Sequence, residues 1–135
     1  MIKVTAAIIV SNNKILIAKR KNSKYFKNKW EFPRGKIEKR ETPEECLQRE
    51  VKEEFDIVIK VGPFFMENIY QYPHKKVYLL TYFASIQSGN LKANEHEDFR
   101  WIPIGELDDF NFLEADLPII SKLKCGLENI FWRSK

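Results

Sequence analysis

Cysteine is nearly absent. Only Cys46 and Cys125 occur in 135 residues, and their spacing matches no metal-binding pattern. A disulfide framework is therefore excluded, and both thiols read as reduced core or boundary residues of a cytoplasmic protein. No run of 18 apolar residues is present, so no membrane span is expected. The opening stretch, Met1 to Lys14, lacks the charged head and cleavage site of a signal peptide and reads as a strand. Internal repeats, linkers and low-complexity tracts are missing, which leaves one domain over residues 1–135. No nucleophilic cysteine or serine–histidine pair stands out. His96-Glu97-Asp98 lacks the second histidine of a zinc-protease motif and reads as surface. The net charge of +4 is modest; it suits an anionic substrate, and equally a general preference for lysine.

The chain has 44% hydrophobic and 13% aromatic residues, a globular composition. Its most informative stretch runs from Gly35 to Ile57. Thr42 is placed to cap a helix, Pro43 takes the first helical position, and Glu45 completes a Thr-x-x-Glu capping box. Leu47, Val51 and Phe55 then recur every four residues as an apolar stripe. Glu50, Glu53 and Glu54 fall along one edge of that stripe, and Glu54 lies almost in line with Leu47, so its carboxylate should be partly buried. Like charges at these spacings cost roughly 0.2–0.5 kcal/mol per pair, and burial adds desolvation. Arg49 offsets part of that cost, although it projects to another side of the helix. A hard divalent cation, Mg²⁺ or Mn²⁺, is the better match for clustered carboxylates. The plain alternative is a solvated acidic face, but Gln48 and Lys52 occupy the solvent side.

Gly35, five residues, Glu41, seven residues, then Arg49-Glu50-Val51-x-Glu53-Glu54-x-x-Ile57 resembles the Nudix box, G-x5-E-x7-R-E-U-x-E-E-x-G-U with U aliphatic. The match is complete except that Asp56 stands at the second glycine. Asp56 is expected to end the helix in a left-handed conformation, which aspartate tolerates. The preceding run Trp30 to Lys36 is similar to the W-E-F-P-G-G-K run of MutT-like members, with Arg34 at the first glycine.

Elsewhere the pattern is mostly β. Residues 3–10 and Ile15 to Lys19 read as a hairpin around Ser11-Asn12-Asn13-Lys14. Ile57 to Tyr70 reads as a strand interrupted at Gly62-Pro63, Val77 to Gln87 as a strong strand, and Phe99 to Ile102 as a short one. An amphipathic helix is expected from Pro118 to about Phe131, its apolar face formed by Ile119, Ile120, Leu123, Leu127 and Ile130.

The resemblance implies an α+β Nudix fold, a mixed β-sheet sandwiched between α-helices. It also implies hydrolysis of a nucleoside diphosphate linked to another group. Carried over residue by residue, Glu50, Glu53 and Glu54 would hold Mg²⁺ (or Mn²⁺), with a backbone carbonyl from Arg34 or Gly35. Glu95, six residues before Trp101, would complete the site, with Glu97 as the runner-up. Glu53 or Glu95 would orient or deprotonate water, Arg49 would orient a glutamate, and Glu41 would support the loop. Arg20, ten residues before Trp30, would contact substrate phosphate. Phe32 could pack near the base, with core packing as its alternative, and Lys75 lies at a position near the base or at a charged hairpin tip. Asp116 would accept from an exocyclic amine of the base, or donate to it if protonated in a buried pocket. The plain alternative is a cap for the last helix, and the two roles are compatible.

The expected reaction is cleavage of ordinary or modified (deoxy)nucleoside triphosphates, such as 8-oxo-dGTP or (d)CTP, to nucleoside monophosphate and pyrophosphate. Alternatives are dinucleoside polyphosphates, ADP-ribose, RNA 5′ ends, or a non-catalytic nucleotide-binding module. A nucleotide substrate is the expected partner, without a stable nucleic-acid partner or membrane, for a monomer or homodimer.

Overall fold

A computed structural model describes residues 1–126. Leu127 and Ile130, expected on the last helix, lie outside the described residues. Strand β1 (Ile2–Ser11) organises the sheet. Its apolar run is continuous rather than alternating, because both of its faces are covered: Val4, Ala6, Ile8 and Val10 enter one core, Ala7 and Ile9 the other. It pairs antiparallel with β2 (Lys14–Lys19), and Asn12 and Asn13 supply the left-handed turn. β2 then pairs on one side with β3 (Trp30–Glu31) and on the other with β7 (Asp98–Ile102). On its far side β1 runs parallel to β6 (Lys76–Gly89), which forms a long antiparallel hairpin with β5 (Ile57–Gln71). The short β4 (Arg34–Lys36) returns to pair with β1.

Helix α1 (Pro43–Phe55) covers one face through Leu47, Val51 and Phe55. Its capping box is formed on both sides: Thr42 Oγ1 accepts from Glu45 N, and Glu45 Oε1 accepts from Thr42 N. Asp56 ends it at φ 59° and ψ 33°, in the left-handed region. The opposite face is covered by two 3₁₀ turns, Ile104–Asp109 and Glu114–Asp116, and by α2 (Leu117–Gly126) through Ile119, Ile120 and Leu123. The architecture is the expected mixed sheet between helices.

Three expectations shift. β5 is not interrupted at Gly62-Pro63; the ladder continues past it with register shifts, so these residues bulge the strand instead of breaking it. α2 begins at Leu117, one residue early, because the Glu114–Asp116 turn feeds directly into it. Cys46 is buried as expected, whereas Cys125 is exposed.

Candidate active site

Helix α1 presents its carboxylates beside β4, and glycine is what lets them approach. A Cβ built on Gly35 would lie 1.9 Å from Glu50 Cγ and 2.3 Å from Cδ. Gly35 therefore serves as a seat for the Glu50 side chain. As a metal-ligand candidate it is weakened: its carbonyl accepts from Thr5 Oγ1 at 3.5 Å and Cys46 Sγ at 3.6 Å, under the helix. The Arg34 carbonyl remains the backbone candidate.

Arg49 bridges more than its helical position suggested. Nε and Nη2 clasp Glu41 at 2.6 and 3.0 Å, and Nη1 reaches Glu50 Oε2 at 2.9 Å and Glu53 Oε1 at 3.4 Å. Its length and fork overcome the angular offset on the helix. The Arg49 hydrogen bond holds the Glu41 carboxyl down at about 2. Among the described residues no three acidic, histidine or cysteine groups form a ready-made metal cage. Glu50 and Glu53 turn instead to Arg49, and Glu53 is more than half exposed.

Glu54 differs from both. One of its oxygens, Oε1, is buried without a hydrogen-bond partner. Burial, followed by the charges of Glu31, Glu50 and Glu95, pushes its carboxyl up to about 9. Glu54 lines a groove of about 350 Å³ with Glu50, Gly35, Arg20, Arg34 and Lys75. A second recess of about 290 Å³ shares Arg20, Glu31 and Glu54 and adds Glu95. The Glu95 loop is docked on the end of α1: Lys92 N donates to Phe55 O, Asn94 N to Glu54 O, and Asn94 Nδ2 to Glu53 O. Those bonds satisfy helix carbonyls that would otherwise lack partners. Glu97, the runner-up for this role, pairs with Lys19 at 3.0 Å.

The opposite wall is positive. Burial and then Arg20, Lys36 and Arg34 depress the Lys75 ammonium, which marks a concentration of cations around it. Arg20 Nη1 donates to Glu31 Oε1 at 2.8 Å, which fixes the fork at the groove margin.

Glu31, which sequence reasoning passed over, ties the walls together. It is almost fully buried, contacts Arg20 and Arg34 through Oε1, and meets His96 Nε2 through Oε2 at 2.8 Å. Burial opposes its charge, but Arg34, the His96 hydrogen bond and Arg20 overcome that and hold its carboxyl down at about 2. His96 is correspondingly not at the surface: it is buried and stacked on Phe55 at 5.0 Å. The one available signal was strand geometry. Ala18 pairs with Glu31 on one side and Phe99 on the other, which brings the residues just before β7 toward Glu31.

Two expected substrate contacts change. Phe32 is fully buried and packs on Phe112 at 5.3 Å, so it belongs to the core and offers no face to the base. Asp116 is also fully buried. Its Oδ2 accepts from Phe32 N at 3.1 Å and from Arg34 Nη2, so the side chain caps no helix. The chain that delivers it is held to β3 by Trp30 N–Asn111 O and Leu113 N–Trp30 O bonds. Burial pushes the Asp116 carboxyl up, against the pull of Arg34.

A family model described as the NUDIX domain matches residues 1–123. The chain is 34% identical over 113 residues to the 8-oxo-dGTP diphosphatase of Escherichia coli K12, covering 84% of this chain and 88% of that one. It is 32% identical over 120 residues to the CTP pyrophosphohydrolase of the same organism, covering 89% of each. Among solved structures, the DNA mismatch repair protein MutT from methicillin-resistant Staphylococcus aureus 252 matches with a TM-score of 0.73 at 37% identity, over 92% of this chain and 95% of that one.

Proposed function

The chain belongs to the Nudix hydrolase family, and on that premise we propose that it cleaves nucleoside triphosphates, ordinary or modified, to nucleoside monophosphate and pyrophosphate. Such enzymes act on phosphoric anhydride bonds with divalent cations. One observation carries the reading for this chain: a carboxylate edge with an unpartnered buried oxygen, Glu54 Oε1, shares a groove with Arg20, Arg34 and Lys75.

The donor set fits a hard cation. Glu50, Glu54 and the more exposed Glu53 supply carboxylate oxygens, with Glu95 and the Arg34 carbonyl as further candidates. An oxygen left without a hydrogen bond inside protein is the kind of group a cation would satisfy. Bound there, Mg²⁺ would neutralise phosphate charge and acidify water. The remaining work falls to the chain. Arg20 and Lys75 would hold the polyphosphate as charged donors. Arg49 keeps Glu50 and Glu53 aimed from one side, and Gly35 keeps the space into which Glu50 folds. Glu53 or Glu95 would orient and deprotonate the attacking water; both reach solvent. Little covalent chemistry is asked of the protein, which agrees with the lack of a nucleophile.

The test is pyrophosphate release with Mg²⁺ or Mn²⁺ from 8-oxo-dGTP, dGTP, dCTP, CTP, 5-methyl-dCTP and dATP. At least one should turn over, and Glu54→Gln should lower kcat by about 100-fold or more. Release of inorganic phosphate only, or full activity in Glu54→Gln, would overturn the assignment.

A further inference from the structure

Arg34 replaces a glycine of the pattern this chain resembles, and its side chain is anchored within the groove wall. The guanidinium is nearly buried, with 12% side-chain exposure. Nε donates to the Phe32 carbonyl at 3.2 Å and lies 3.3 Å from Glu31 Oε1, while Nη2 donates to Asp116. Among the described residues nothing accepts from Nη1. These anchors lock the plane of the fork. Nη2 uses one hydrogen on Asp116, so Nη1 and the second Nη2 hydrogen remain as an end-on pair of donors.

Arg34 lines both the groove and a narrower cleft that adjoins it, walled by Val4, Phe26, Tyr72 and Val77. The cleft holds about 40 Å³. That is room for a water, not for a nucleobase. The groove beside it holds about 350 Å³. A base at this end would have to lie across the cleft mouth, against the apolar side chains and Arg34. Asp116 contributes to neither lining: it is fully buried, its Oδ2 accepts from Phe32 N and Arg34 Nη2, and its Oδ1 is enclosed without a hydrogen-bond partner.

We infer that Arg34, and not Asp116, reads the nucleobase, and that it selects bases presenting two adjacent acceptors: cytosine through N3 and O2, or guanine through N7 and O6. The inference rests on the reading above, that the groove takes a nucleotide. An arginine fork has only donors, and its parallel N–H groups match two neighbouring acceptors. Thymine and uracil place an N3–H between their carbonyls, adenine sets an amine beside each of N1 and N7, and 8-oxoguanine carries a hydrogen on N7. Each of these turns a donor toward a donor. Asp116 and Glu31 act on the base only by holding the fork in place.

The experiment compares kcat/KM for dCTP, dGTP, dTTP, dATP and 8-oxo-dGTP in the wild type and in Arg34→Gly/Asp116→Asn. The double variant removes the guanidinium together with its buried charge partner, and thermal melts check that it folds. Calorimetry with dCMP, dGMP and dTMP, without metal, gives the same comparison independently of turnover. The wild type should favour dCTP or dGTP over dTTP and 8-oxo-dGTP by about 10- to 100-fold, with dCMP or dGMP bound more tightly than dTMP. The double variant should lose most of that preference in both measurements. A preference that survives in a folded double variant, or wild-type selectivity for 8-oxo-dGTP over dGTP, would overturn the role of Arg34. Absence of wild-type turnover on every triphosphate would overturn the enzymatic reading instead, and the calorimetric ranking would then decide for or against Arg34 alone.

Discussion

At the scale of single residues, Gly35 and Glu31 show two ways in which a side chain is fixed by space and by charge. Gly35→Ala places a methyl group 1.9 Å from Glu50 Cγ, so the Glu50 side chain must leave its seat. A displacement near 1 Å at a reacting centre costs about 100-fold in rate. Because that methyl group would also lie 2.6 Å from Glu50 Cβ, which the helix backbone fixes, α1 and β4 must separate slightly as well. Steady-state assays should show the loss in kcat together with a lowered melting temperature; wild-type kcat in the variant would disprove the seat. Glu31→Gln removes the carboxylate that faces Arg20, Arg34 and His96. Breaking a buried pair on one side costs about 3–5 kcal/mol, which urea unfolding at pH 7 should register. The folded carboxyl sits at about 2, below its ordinary 4.5. Its contribution is complete above pH 4.5 and is lost as pH falls from 4.5 through 2. The variant should therefore lose less stability than the wild type across that acid window. Gly35 was legible as a fixed position of the box but not as a seat: the sequence offered its carbonyl to a metal, and only the approach of α1 to β4 shows the space it leaves for Glu50. Glu31 was not legible, since Arg20 follows β2 and His96 precedes β7, and strand register brings both to it; Arg34, three residues on, is the local partner.

At the scale of elements, α1 was readable from end to end because its determinants are local. The Thr42–Glu45 box, the apolar stripe and the left-handed Asp56 are all set by residues within one or two turns. Thr42→Ala should cost about 1 kcal/mol in unfolding free energy, a loss that a Ser at the same position largely avoids. The long β5–β6 hairpin was less legible. Gly62-Pro63 signals a break in isolation, yet a ladder of paired residues on either side carries the strand through as a bulge. The Glu95 loop was legible only as a loop. Its position depends on Asn94, whose backbone and side chain bond the Glu54 and Glu53 carbonyls. Asn94→Ala leaves Glu95 in the chain but loosens its attachment to the helix. That variant should lower kcat more than it lowers the melting temperature, while an unchanged kcat would mean that Glu95 needs no such anchoring.

At the scale of the molecule, the groove sets a carboxylate edge on α1 against cations from β4 and from the loops after β2 and β5, and the balance between them depends on proton uptake. Glu54 carries that dependence. With its carboxyl raised to about 9 against an ordinary 4.5, the folded protein holds one more proton than the unfolded chain between those values. Stability without metal therefore falls as pH rises from about 4.5 through 9. A cation that binds the ionised form must displace this proton, so metal binding should strengthen with pH over the same window and release protons into the buffer. Melting curves at pH 6, 7 and 8, with and without Mg²⁺ or Mn²⁺, check both statements. The metal-free melting temperature should decline with pH, and the increment from added metal should grow. Glu54→Gln should flatten the metal-free decline and remove most of the increment, because the amide neither ionises nor binds the cation as a carboxylate does. An increment that is the same at every pH, or that survives Glu54→Gln, would move the metal away from Glu54 and toward the exposed edge formed by Glu50 and Glu53.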